Sequence, residues 1–231
     1  AIITSKKRAE KLSLNYMSKS FNYLLVFLLM FISIPALSWI IEINANMVLP
    51  NFMSGLEEWM RASEKQAEML TKAFLTFDGV GSLFYILILV AVVPAVGEEL
   101  LFRGVLQKIF IQWTKNPHLG IWITAFLFSA LHMQFFGFFP RMLLGAVFGY
   151  VFLWSKSLWL PILGHFINNG SVVILSYFAP DLMENTDISL FNGNEYETVF
   201  LTSSFILTIA LIFLIRKVNA EKKLNNQQVL N

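Results

Sequence analysis

From Tyr85 to Val96 the chain reads Tyr-Ile-Leu-Ile-Leu-Val-Ala-Val-Val-Pro-Ala-Val, a stretch without a single charge, and Glu98 and Glu99 follow one residue later. In lipid no water is present to bond a bare backbone, so a run this apolar can cross a membrane only as a helix. Two adjacent carboxylates at its end need a reason. A charged side chain inside a bilayer costs about 2.5 to 3.5 kcal/mol on insertion scales, so such residues are by default functional candidates. The rest of the chain is read against that pair.

Composition agrees with a bilayer setting. The 231 residues are 56% hydrophobic and only 14% charged, with a mean hydropathy of +0.63, against roughly 25% charged residues in an ordinary soluble domain. The chain is therefore read as an integral membrane protein, all-α, a polytopic helical bundle. A formal charge of +2 without a basic stripe gives no footprint for nucleic acid, so the expected partners are membrane lipid and a peptide or protein. There is no Cys, which removes thiol nucleophiles and thiolate metal sites. The chain opens at Ala1 without an initiator Met, and Lys6, Lys7, Arg8 and Lys11 precede a hydrophobic run too long for a signal-peptide core. We expect a piece of a longer membrane protein.

Six spans are expected, each close to the roughly 20 apolar residues that cross a ~30 Å core. They are Phe21 to Ile41, Gly81 to Phe102 with a kink at Pro94, Leu119 to Phe136, Gly137 to Trp154, Leu158 to Phe178 and Val199 to Ile215. Between the first two, Leu56, Trp59, Met60, Ser63, Ala67, Leu70 and Phe74 recur at helical spacing with Glu57, Glu58, Arg61, Glu64, Lys65 and Glu68 between them. That pattern predicts an amphipathic surface helix within residues 42–78, with Ser54 as N-cap and Glu57 completing a capping box. It is read as a solvated helix on the membrane face, with substrate gating as the alternative. Gly145 and Gly149 form a pair that lets a neighbouring helix come close.

Lys and Arg distribution sets orientation. The polar segments 42–78 and 179–197 hold only Arg61, Lys65 and Lys72 against Glu42, Glu57, Glu58, Glu64, Glu68, Asp78, Asp181, Glu184, Asp187, Glu195 and Glu197. Lys6, Lys7, Arg8, Lys11, Lys19, Lys108, Lys115, Lys156, Arg216, Lys217, Lys222 and Lys223 gather on the other side. Both termini are expected in the cytoplasm and residues 42–78 outside it. Residues 1–231 are taken as one membrane domain.

Further polar groups interrupt the apolar helices. His132 follows Phe128 by one turn, His165 and Asn169 are four apart, and so are Glu99 and Arg103, with the acid N-terminal, the better order for a helical pair. Three spans thus each bring a Glu or a His inside the membrane. The order Glu98-Glu99-Leu100-Leu101-Phe102-Arg103, Phe128-Ser129-Ala130-Leu131-His132, His165-Phe166-Ile167-Asn168-Asn169 resembles the CPBP family of intramembrane proteases, which includes type II CAAX prenyl endopeptidases and bacteriocin-processing or self-immunity proteins. The likeness covers residues 80–175, and the text around Phe128 to Phe135 and Gly137 to Arg141 looks like the bacterial branch. It implies a peptidase of a bacterial inner membrane in which Glu98 with His132 activates water and His165 with Asn169 forms an oxyanion site.

Read from the chemistry alone, Glu98 is placed to act as general base, and His165 and Asn169 to donate to a tetrahedral oxyanion. Glu99 and Arg103 read as an ion pair that keeps Glu98 oriented, and Phe128 as support. Metal-free catalysis without a cofactor is preferred. Glu98, His132 and His165 are also the donor set of many catalytic zinc centres, so zinc is the alternative. A proton or ion transporter and a non-catalytic immunity or scaffold protein stay open as other classes. His118 reads as a loop residue, Asn168 as a helix-backbone partner, and Arg141 as an interfacial anchor or the lining of a substrate entrance. At 1.5 Å per residue, Glu98 lies about 26 Å from a helix start at Gly81, near the cytoplasmic side. His132, for a helix starting at Gly120, and His165 lie about 18 and 10 Å from that side. Those depths do not coincide, so tilted helices with shifted boundaries around a cavity open to the cytoplasm are expected.

Overall fold

The computed structural model of the chain describes residues 12–181 and 195–228. The regular elements among the described residues are all helical: α1 (Ser20–Ile32), α2 (Ile34–Ala45), α3 (Ser54–Phe74), α4 (Val80–Thr114), α5 (Pro117–Ala130), α6 (Phe138–Ser155), α7 (Trp159–Phe178) and α8 (Glu195–Gln228). Lys6, Lys7, Arg8, Lys11, Glu184 and Asp187, on which the expected orientation partly rests, lie outside the described residues.

Among the described residues α4, Phe135–Ser155 and Glu195–Ala220 are long and apolar enough to cross a membrane. A fourth span arises if α1 and α2 count as one, bent by 45° beside Pro35, whose ring cannot continue an undistorted helix. Of the other two expected spans, α5 is apolar but only 14 residues long. α7 has 20 residues but is diluted by His165, Asn168 and Asn169. Six is thus the number of helical passes expected from the sequence, and three or four meet the test of length and apolarity. The outward face of α4 is apolar, with Phe84, Tyr85, Ile88 and Val93 exposed while Ala91, Ala95 and Glu99 are buried. That is the inverse of a soluble helix, and it marks an integral membrane protein.

α4 differs most from expectation. It runs 35 residues, about 52 Å at 1.5 Å per residue, past its expected end at Phe102 as far as Thr114. Two π-helical turns, Leu87–Val92 and Phe102–Leu106, bracket its acid-bearing segment. Pro94 has no N–H to give Val90 O, and the side-chain amide of Asn169 on α7 donates to that carbonyl at 3.1 Å. α4 closes on Lys115 in the left-handed region (φ 55°). Asn116 then caps α5, accepting from His118 and Leu119 N–H at 2.9 and 3.2 Å. His118 is thereby in the first turn of α5, not in a loop, with Nδ1 2.9 Å from the Tyr150 hydroxyl.

The core forms where α1, α6, α7 and α8 meet, around Leu25, Val26, Leu29, Val151, Leu160 and Ile215. α6 packs on α5 through Ile121, Ala125 and Ala146. There the glycine pair acts as expected: a Cβ on Gly149 would lie 2.8 Å from Ile121, and one on Gly145 3.3 Å from Phe128. The amphipathic α3 matches its expected pattern, but its start does not. The chain enters from the 3₁₀ turn Asn51–Met53, so Ser54 is already helical and makes no capping bond. Glu57 instead accepts from Leu49 N–H at 2.9 Å and pairs with Arg61 at 2.7 Å.

Candidate active site

Glu98 and Glu99 are neighbours on α4, so their side chains diverge by about 100° and meet different surroundings. Glu99 is fully buried. Its Oε1 accepts from Arg103 Nη1 at 2.7 Å and from His165 Nδ1 at 2.9 Å. Arg103, itself 1% exposed, passes its second nitrogen to Gly145 O at 2.9 Å. One turn on, Gln107 donates to Gly149 O at 3.0 Å. Thus Glu99, Arg103 and Gln107 form a polar stripe along α4, and the two glycines of α6 leave their carbonyls open to it. Gln107 was not singled out from sequence, although its spacing of four from Arg103 was a usable signal.

Glu98 faces the other way. Its Oε2 lies 3.9 Å from His132 Nε2 and 3.9 Å from His165 Nε2, and among the described residues it has no hydrogen-bond partner. The partners on the far side of each ring assign the tautomers. His132 Nδ1 is 2.6 Å from Phe128 O, and a carbonyl only accepts, so Nδ1 carries the hydrogen. His165 Nδ1 faces the Glu99 carboxylate, with the same result. As neutral imidazoles both rings therefore turn an Nε2 lone pair toward Glu98. Three acceptors converge, and what fits between them is a donor of hydrogens.

Phe128 is the apolar hub of this arrangement. Its ring is 4.9 Å from that of His132 and 6.0 Å from that of His165, edge-on to both, and the Arg103 guanidinium lies over its face at 4.8 Å. Phe148, not expected from sequence, stacks on His165 at 6.0 Å. Asn169 sits one turn beyond His165. One of its amide hydrogens goes to Val90 O, and its Oδ1 accepts from Asn168 at 3.1 Å.

The mismatch in depths resolves at the helix ends. The apolar text of the third span continues to Phe136, but α5 stops at Ala130 and His132 lies in the turn beyond it. The turn is sharp: Met133 is left-handed (φ 54°), a conformation that costs a residue with a Cβ roughly 1–2 kcal/mol. Glu98 and His132 keep 32% and 30% of their side chains exposed, His165 only 6%, so the group opens on the Glu98–His132 side. Arg141, near one end of α6, holds Gln134 Oε1 at 2.7 Å and lies within electrostatic range of Glu98 and Glu64, beside that opening. As for the zinc alternative, no three His, Cys, Asp or Glu groups among the described residues come together closely enough to hold a metal ion.

These features define a class: an all-helical integral membrane protein with a carboxylate and two tautomer-fixed imidazoles facing one point between helices. Residues 80–171 match the family described as Type II CAAX prenyl endopeptidase Rce1-like, and that segment, which holds Glu98, His132, His165 and Asn169, bears out the resemblance carried by the three motifs. A protein of Bacillus subtilis (strain 168) named "Uncharacterized protein YpbD" is 31% identical over 85 residues, 35% of this chain and 40% of that protein. The chain thus matches less than half the length of this curated relative. No solved structure matches it.

Proposed function

We propose that the chain is a membrane endopeptidase in which Glu98 activates a water that attacks a peptide carbonyl. The observation that carries this reading is the convergence of Glu98 Oε2 with two Nε2 lone pairs at 3.9 Å each. A water there gives one hydrogen to Glu98 and the other to His132 Nε2. Its oxygen lone pair is then free for the substrate. As the water oxygen bonds the carbonyl carbon, Glu98 takes the proton. The proton goes to the departing nitrogen when the C–N bond breaks, so the balance closes on one water and one peptide bond.

The oxyanion is served from α7. Asn169 keeps one amide hydrogen on Val90 O and has the second to give. His165, anchored through Nδ1 on Glu99, joins as a donor only in its imidazolium form, with Nε2 protonated as well. Glu99 and Arg103 support the mechanism by fixing His165 rather than by reacting. No step runs through a metal. We assign the protein to a bacterial inner membrane, as one membrane domain with both described ends in the cytoplasm, on the Lys and Arg distribution of its sequence, with a peptide or protein as substrate.

The test compares peptide N- and C-termini in membranes from cells carrying wild type, Glu98→Ala or Glu98→Gln at matched expression. New termini with wild type alone are expected, and Glu98→Gln should lower cleavage by about 10²- to 10⁴-fold, the usual share of a general base. A fully active Glu98→Gln would sink the mechanism. Cleavage that survives a strong chelator supports the metal-free route, and its loss, restored by zinc, would replace that route.

A further inference from the structure

His132 is carried by a turn, not a helix, and that turn contains the left-handed Met133. A strained conformation persists only when its surroundings over-determine it. Part of what holds this one comes from outside residues 80–171. Asn44, at the end of α2 and 3% exposed, spans the segment after His132 with both ends of its amide. Nδ2 donates to Phe135 O at 3.3 Å, and Oδ1 accepts from Phe139 N–H at 2.9 Å. From α3, Glu64 accepts from Phe136 N–H at 3.3 Å. Within the segment itself Ser129 Oγ donates to Phe138 O at 2.6 Å.

We infer that Asn44 is a positioning residue for His132: its amide clamps the backbone of Phe135 and Phe139 and so fixes where the His132 ring meets Glu98. This rests on the proposed function as far as rates are concerned, but the clamp itself has a readout of its own. Asn44 touches no reacting group. It acts through the loop, and its removal should misplace the water that Glu98 and His132 share while leaving the substrate's own contacts alone. A misplacement of about 1 Å can cost on the order of 10²-fold in rate, and it should fall on kcat with KM nearly unchanged. Asn44→Ala frees both backbone groups. Asn44→Asp keeps the acceptor for Phe139 N–H but turns a second, buried acceptor toward Phe135 O, so it should disturb His132 at least as much as Asn44→Ala.

The deciding experiment is ¹⁵N NMR of histidine-labelled protein in micelles. The chain has three His, namely His118, His132 and His165, each assigned by its Gln substitution. Asn44→Ala is expected to shift the His132 ring signals and to leave those of His118 and His165 in place, with kcat down about 10- to 100-fold. Unchanged His132 signals overturn the inference, and so does a shift of all three rings together, which marks loss of packing rather than local positioning. A Glu98→Gln enzyme of full activity would overturn the proposed function instead, and the His132 signals would still decide the clamp.

Discussion

Replacing Arg103 by Met keeps most of the aliphatic stem and removes the guanidinium. Four interactions go with it: the 2.7 Å pair with Glu99, the 2.9 Å bond to Gly145 O, and the contacts over the Phe128 and Phe148 rings at 4.8 and 5.6 Å. Glu99, without exposure, is left with the N–H of His165 alone. Breaking a buried pair by removing one partner costs about 3–5 kcal/mol, because the other charge stays buried. At 1.4 kcal/mol per decade, a loss near 4 kcal/mol lowers the folding equilibrium about 10³-fold. The assay is equilibrium unfolding in mixed micelles by dodecyl sulfate titration, read by circular dichroism.

Glu99→Gln keeps an oxygen for His165 and discards the charge. Combined with Arg103→Met it should be more stable than the sum of the two losses by about 0.5–3 kcal/mol, the range for residues in one network. Lys72→Met, which breaks the exposed pair with Glu68, serves as control and should unfold with wild type, since exposed pairs contribute little. An Arg103→Met protein within 1 kcal/mol of wild type, or strict additivity in the cycle, would refute the account of the buried stripe.

Two further outcomes follow from other contacts. Asn169→Ala should destabilise by about 1–3 kcal/mol through loss of the donor to Val90 O, and Pro94→Ala on the same background should recover part of it by supplying an N–H, as measured by the same titration. Glu57 has its carboxyl held below the usual range, first by the Arg61 side chain and then by Leu49 N–H. Its contribution is therefore present at neutral pH and lost as pH falls through the folded-state value. Amide exchange at Leu49, corrected for its intrinsic rate, should rise on acidification, and Glu57→Ala, which removes both acceptor oxygens, should show the fast exchange at neutral pH already.

Local regularity was legible in the sequence, and departures from it were not. The alternation of apolar and charged residues over 54–74 gave α3, and the charge-free run before Glu98 gave the spine of α4. The pairs spaced by four, Glu99 with Arg103 and His165 with Asn169, proved to share faces. Apolarity, however, carries no stop signal. Leu131 to Phe136 holds no Gly or Pro and only His132 and Gln134 among apolar residues, so no helix breaker showed that the chain leaves α5 at Ala130. The capping pattern at Ser54 misled because a cap needs a non-helical residue, and the preceding 3₁₀ turn makes Ser54 helical. Asn44 and Glu64 meet the His132 loop across 91, 95 and 72 residues of chain. Such a contact is a property of the packed bundle, not of any window of sequence.

The two π-helical turns of α4 set the phase of the block between them. Each fits one residue more than an α turn would, and a residue is worth about 100° of rotation. The segment from Val93 to Leu101 is thus dialled independently of the helix on either side. Straightening Leu87–Val92 into regular α-helix with all its residues kept would leave α4 just as apolar, yet it would swing Glu99 off His165 and carry Glu98 away from both imidazoles. The helix tolerates change of residue along its lipid face, but at these two turns its hydrogen-bonding register is as specific as any side chain.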